Sequence, residues 1–242
     1  MSQIIPLILF TLLPVISFAK VETKEFSAQG LKDLDVKNLS GDIRITPSSN
    51  DKASVTSNKM TFEENCVLEI EREGDELEVE VKRQDLFGSD VCEVHLDIKV
   101  PKKISLNLKT GSGDIEVEGT EGEVEFETGS GNASVNAEVD ELDANLGSGD
   151  LSARGLRGDV KVKTGSGDIN LDFASAPQAG KVSIKTGSGD TTLSMPSTAK
   201  ILTHFKSGSG QVYNELGDTE NARLEVSMQA GSGDLKILKA KK

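Results

Sequence analysis

The 242-residue sequence has no tryptophan, one tyrosine (Tyr213), two histidines (His95 and His204) and two cysteines (Cys66 and Cys92). Carbohydrate clefts are ordinarily lined by aromatic platforms and paired carboxylates, so the scarcity of rings argues against a sugar-cleaving enzyme. Strand alternation places both histidines outward with no partner motif, which leaves no convergent set of acid, base and nucleophile. An enzyme is therefore not expected, nor a bound cofactor or metal. Cations are also short, with 27 Lys and Arg against 40 Asp and Glu and a net charge of −13. That balance argues against nucleic acid and anionic membranes as partners, since binding either requires basic side chains that displace counterions.

Long apolar runs are missing beyond the start. The stretch from Ile4 to Phe18 is shorter than a membrane span of about 20 residues and contains Pro6 and Pro14. Residues 1–19 hold no charged side chain and end in Ser17-Phe18-Ala19, so they read as a signal peptide, although no Lys or Arg marks its start. No cysteine follows the cleavage point, so no lipid attachment is expected. The mature chain is expected in the periplasm or at the cell surface, with no transmembrane segment and an unnamed protein or cell-surface partner.

What the chain does have is glycine, 24 of them, and Val, Ile, Leu and Thr alternating with charged residues as half-buried strands do. Gly-Ser-Gly begins at Gly111, Gly129, Gly147, Gly165, Gly187, Gly208 and Gly231, in steps of 18, 18, 18, 22, 21 and 23 residues. The unit closes with Gly113-Asp114, Gly131-Asn132, Gly149-Asp150, Gly167-Asp168, Gly189-Asp190, Gly210-Gln211 and Gly233-Asp234, and a related Ser40-Gly41-Asp42 stands earlier. Superimposed units give columns that are apolar in most units. Before the turn these are Leu106, Val124, Leu142, Val160, Val182, Thr203 and Val226; after it they are Ile115, Ala133, Leu151, Ile169, Thr191, Val212 and Leu235. Each unit thus reads as two short strands with one face inward, joined by a glycine turn and a second mid-unit turn.

An all-β solenoid of 18–23-residue coils follows, because an antiparallel meander would leave its apolar face bare. No apolar residue recurs every six positions as in the left-handed hexapeptide helix, so a right-handed coil is expected. The organisation is 1–19 signal peptide, 20–100 an N-terminal β region, and 101–242 the repeats, continuous with it. Within the N-terminal region, Ser40-Gly41-Asp42 marks a first coil, and Val67–Ile70 with Leu77–Val81 form a hairpin across Gly74-Asp75.

The Asp column is expected to cap local turns. Calcium-binding toxin repeats instead set glycine-rich turns every nine residues or so. Arg157-Gly158-Asp159 matches an integrin-binding tripeptide but falls where a turn already wants Gly and Asp. Cys66 and Cys92 are the only cysteines of an exported chain, so one disulfide is predicted. Lys236, Lys239, Lys241 and Lys242 are expected to guard a terminal strand edge.

The order of an early "LSGDIRI", a hairpin, then "LDIKVPKKISLNLKTGSGDIEVEG" and further GSGD units resembles a bacterial family of secreted β-strand-repeat proteins, provisionally named adhesins and of unknown function. The resemblance runs from about Val21 to Leu238. It implies an elongated β-helix outside the cytoplasm with no assigned activity, acting as a structural or adhesin-like module. The alternatives are a polysaccharide-acting β-helix enzyme and a calcium-dependent surface binding protein.

Overall fold

A computed structural model describes residues 20–85, 90–177 and 179–240. The expected signal peptide and the final Lys241 and Lys242 lie outside them. Every regular element among the described residues is a strand. The N-terminal strands are β1 (Lys20–Ser27), β2 (Asp33–Asn38), β3 (Ile43–Pro47), β4 (Lys52–Phe62), β5 (Cys66–Glu73), β6 (Glu76–Arg83) and β7 (Cys92–Val100). The centre holds β8 (Ser105–Ser112), β9 (Ile115–Ser130), β10 (Ala133–Ser148) and β11 (Leu151–Ser166). Beyond lie β12 (Ile169–Phe173), β13 (Gly180–Ser188), β14 (Thr191–Met195), β15 (Ile201–Ser209), β16 (Val212–Asn214), β17 (Leu224–Ser232) and β18 (Leu235–Lys239).

Parallel pairing sets equivalent residues of successive coils side by side, for example Val117, Val135 and Ala153, then Leu171, Leu193 and Ile237. Each coil contributes a strand to face I, turns at the Gly-Ser-Gly corner, and contributes a strand to face II. The long strands β9, β10 and β11 bend round the second corner and serve both faces. Inward residues of the two faces close one core, in which Val36, Leu108, Leu142, Val162, Leu193 and Ile237 are fully buried. The period-two alternation is the whole reason for this burial, since every second side chain points to the same side.

The stacking order departs from the chain order at both ends. At the amino end, β2 lies between β6 and β8, and β3 lies between β7 and β9. At the carboxyl end, β17 lies between β13 and β15, and β18 lies between β14 and β16. At the carboxyl end the chain therefore lays down the outer β15 and β16 before inserting β17 and β18 inside them, whereas at the amino end the inner β2 and β3 come first and β6 and β7 are added outside them. This corrects the expectation for the C-terminal lysines, because the strand carrying Lys236 and Lys239 is internal and the outer edge belongs to β15 and β16.

Both ends are closed. At the amino end β4 and β5 run antiparallel to β7 and β6, so the chain reverses over the last parallel coil, and β1 adds antiparallel to β4. The predicted hairpin is β5–β6. The disulfide between Cys66 and Cys92, with Cα atoms 5.6 Å apart, ties the start of the reversed strand to the coil beneath it. Arg72 reaches from β5 to the carbonyl oxygens of Ser27 and Gln29, and Lys24 to that of Ile70, so cations close that end of the core. At the other end Thr203 and Asn214 replace apolar residues of their columns. The Asn214 side chain donates to Thr203 (3.2 Å) and accepts from the Leu216 and Gly217 amides (3.0 Å each). Polar terminal units are what a solenoid needs to stay soluble.

Candidate functional site

The repeated corner residues come together as one continuous ladder. The amide of Asp114 donates to Asp42 Oδ1 (2.9 Å), Asn132 to Asp114 (2.8 Å), Asp150 to Asn132 (3.0 Å) and Asp168 to Asp150 (2.8 Å). It continues through Asp190 to Asp168 (2.9 Å), Asp234 to Asp190 (2.9 Å) and Gln211 to Asp234 (2.8 Å). Each side chain thus caps the amide of the stacked neighbour and not that of its own corner, which corrects the local-cap expectation. At the amino end the Asp42 amide donates to His95 Nδ1 (3.2 Å). His95 was placed in no motif by sequence, yet it ends the ladder. The signal was the run Glu93-Val94-His95-Leu96, which stacks on Ser40-Gly41-Asp42-Ile43 without a glycine.

The two glycines of the corner have different reasons. Gly149 has φ +134°, and a Cβ there would also overlap the Gly131 carbonyl. Gly129 has no unusual φ, but a Cβ would stand 2.5 Å from the Gly111 carbonyl oxygen. The same overlaps recur at the predicted glycines down both columns, including Gly41, Gly111, Gly113, Gly131, Gly147, Gly165, Gly167, Gly187, Gly189, Gly208, Gly210, Gly231 and Gly233. A threonine column lies just inside. Thr110, Thr164 and Thr186 are buried, and each hydroxyl donates to the carbonyl two residues on (3.1, 3.1 and 3.0 Å).

What varies from coil to coil points outward. On face I three outward columns cross the strands. In stacking order the central one reads Glu78, Asp35, Asn107, Glu125, Asp143, Lys161, Ser183, Ser227 and His204. Its acidic half frames a cleft of about 370 Å³, where Asn107 Nδ2 donates to Asp35 Oδ2 (2.8 Å). Among the described residues no three His, Cys, Asp or Glu side chains converge as a metal site would require. At the second corner Glu138 receives Lys102 Nζ (3.2 Å) and Arg157 (2.6 Å), and these cations hold its carboxyl below the usual range. The guanidinium of the Arg157-Gly158-Asp159 tripeptide is therefore engaged within the molecule.

Stacked parallel coils with an internal corner ladder and variable outer faces define the class, a β-repeat solenoid that presents extended outer surfaces. The chain belongs to the Toastrack DUF4097 family, whose model matches residues 31–241. Among solved structures it is similar to a "putative cell adhesion protein" from Clostridium sporogenes, at 18% identity over 91% of this chain and 99% of that one, TM-score 0.40. It is also similar to two proteins from Parabacteroides distasonis. One is a "putative adhesin", at 14% identity over 91% and 98% of the two chains, TM-score 0.47. The other is a "putative lipid binding protein", at 19% identity over 89% and 96%, TM-score 0.47. No curated protein matches the chain.

Proposed function

We propose that this protein is a non-enzymatic, extracytoplasmic binding module of the adhesin type, in which the solenoid is scaffold and the outward columns are the working surface. The observation that carries this is the fate of the repeated residues. The corners commit their glycines to stacking, their threonine hydroxyls to local carbonyls and their Asp carboxylates to a neighbour's amide, as in Asp168 to Asp150 at 2.8 Å. The chemistry common to the coils is internal, and the side chains that differ lie on open faces suited to an extended partner. The Cys66–Cys92 disulfide supports an oxidising compartment, the periplasm or the cell exterior. The coil is taken as right-handed, as parallel crossovers overwhelmingly are.

The test is retention of the purified protein by isolated cell-envelope material. Saturable retention, weakened by charge changes on an outward face that leave the β-type circular dichroism intact, is expected. The opposing reading is a polysaccharide-acting enzyme. Reproducible polysaccharide turnover, abolished by an outward carboxylate substitution in a folded protein, would replace the proposal with it.

A further inference from the structure

Charge is segregated along the sequence. Residues 160–242 carry eleven Lys and Arg against eight Asp and Glu, while residues 1–159 carry sixteen against thirty-two. The net −13 is thus the sum of a strongly acidic amino part and a cationic carboxyl part. On face I the column beside the Gly-Ser-Gly corner ends in Lys163, Lys185, Gln229 and Lys206, in strand-to-strand register. Neighbouring strands are about 4.8 Å apart, so this is a straight row of ammonium groups at one and two strand spacings.

Several lysines elsewhere on the molecule are neutralised by carboxylates. Lys37 pairs with Asp35 and Glu78, Lys82 with Glu69 and Glu80, Lys102 with Glu138, and Lys161 with Asp143. Lys163, Lys185 and Lys206 have no carboxylate partner among the described residues. Two adjoining concavities of about 460 and 340 Å³ lie along the end of the row and share Lys206 and Gln229. Lys185 lines the first, His204 and Ser227 line the second, and neither contains an acidic residue. On β11, β13, β17 and β15 the acids of this face are Asp159 and Glu225, which stand in the far column on either side of Lys181.

From this placement we infer that the carboxyl half of face I binds an extended anionic polysaccharide, with its acid groups on Lys163, Lys185 and Lys206 and its hydroxyls on Gln229 and Ser227. The inference rests on the binding-module reading and names the partner class for it. A row of charges at regular spacing selects a ligand that repeats its charge along its length. Lysines act as point charges and impose no bidentate geometry, which suits carboxylates on a mobile polymer. Single-stranded nucleic acid fits less well, because Phe205, half-buried, is the only ring beside the row apart from His204, and stacking platforms are what such binders use. An anionic membrane would meet the acidic half of the same face and be repelled.

The test titrates the full protein with polygalacturonate oligomers in low salt, with a single-stranded oligodeoxynucleotide and anionic phosphatidylglycerol vesicles as parallel arms. Binding to the uronate is expected, weakening about tenfold or more as salt rises severalfold, because exposed charges are screened. The pair Lys185→Glu and Lys206→Glu should abolish it. The milder pair Lys185→Gln and Lys206→Gln should weaken it with an unchanged melting curve, whereas Glu123→Gln and Glu125→Gln in the acidic half should not weaken it. No uronate binding, binding indifferent to both lysine pairs, or equal binding of the nucleotide or the vesicles overturns the inference. If the protein still binds envelope material while failing on the uronate, the binding-module reading stands and only the partner class falls.

Discussion

The carboxylate of Asp150 accepts the backbone N–H of Asp168, eighteen residues further along the chain, at 2.8 Å. The Asp150 amide in turn donates to Asn132 Oδ1 at 3.0 Å. Each corner is therefore capped by the one stacked before it, and the cap is a relation between coils.

Asp150→Asn keeps the acceptor, as Asn132 already does, and should leave stability nearly unchanged. Asp150→Ala should cost about 1 kcal/mol, the ordinary worth of one hydrogen bond. Hydrogen exchange should quicken at the Asp168 amide and not at that of Asp150, which distinguishes a cap on the neighbour from a local one. Because the Oδ1 atoms are engaged by amides, chelation should leave the melting temperature unchanged; a rise of several degrees with added calcium would show a site on the ladder.

Gly149→Val should abolish folding, since it combines a φ of +134° with overlap on the Gly131 carbonyl. Gly129→Ala separates the two causes. Its backbone has no positive φ, so any loss in a denaturant melt reports the close approach to Gly111 alone.

A chain ending at residue 223 should lose far more than a last coil. It removes β17 and β18, which pair with strands on both sides, and so opens two parallel edges inside the stack. Aggregation, or proteolysis back into the region of β13, is the expected result. A soluble product with all remaining strands protected would contradict the inserted order.

Thiol labelling of the unreduced, denatured protein should find no free cysteine. Replacing Cys66 and Cys92 by alanine should cost about 3 kcal/mol in a denaturant melt for a loop of 26 residues, through the freedom returned to the unfolded chain.

Lys102, and after it Arg157, lowers the Glu138 pKa. A lowered carboxylate stabilises the fold above its unfolded pKa and loses that contribution as pH falls through the folded value, so any effect belongs to the acid side. A carboxyl NMR titration should place Glu138 below the ordinary glutamate range, and Lys102→Ala should raise it. An unchanged titration in that variant would remove Lys102 as the cause.

The coil, its two faces and its corners were legible in the sequence. Strand period two and the Gly-Ser-Gly spacing are local properties, and the inward columns read from them, Leu106, Val124 and Leu142 before the corner and Ile115, Ala133 and Leu151 after it, are buried. The hairpin across Gly74 and the pairing of Cys66 with Cys92 followed from the same local signals and from there being only two cysteines. The order of stacking did not follow, because any two coils of this pattern present equivalent edges, and nothing local says that β17 fits between β13 and β15. For the same reason the partner of each Asp carboxylate was open until the neighbours were known. His95 carries no glycine signal, and only its position over Asp42 makes it the end of the ladder. The charge along face I depends on order too, since the row from Lys163 to Lys206 passes through Gln229, a residue later in the chain than Lys206. Sequence thus determined what each coil buries, and tertiary structure decided which coil lies next to which, because parallel edges are interchangeable until chain connections and end caps choose among them.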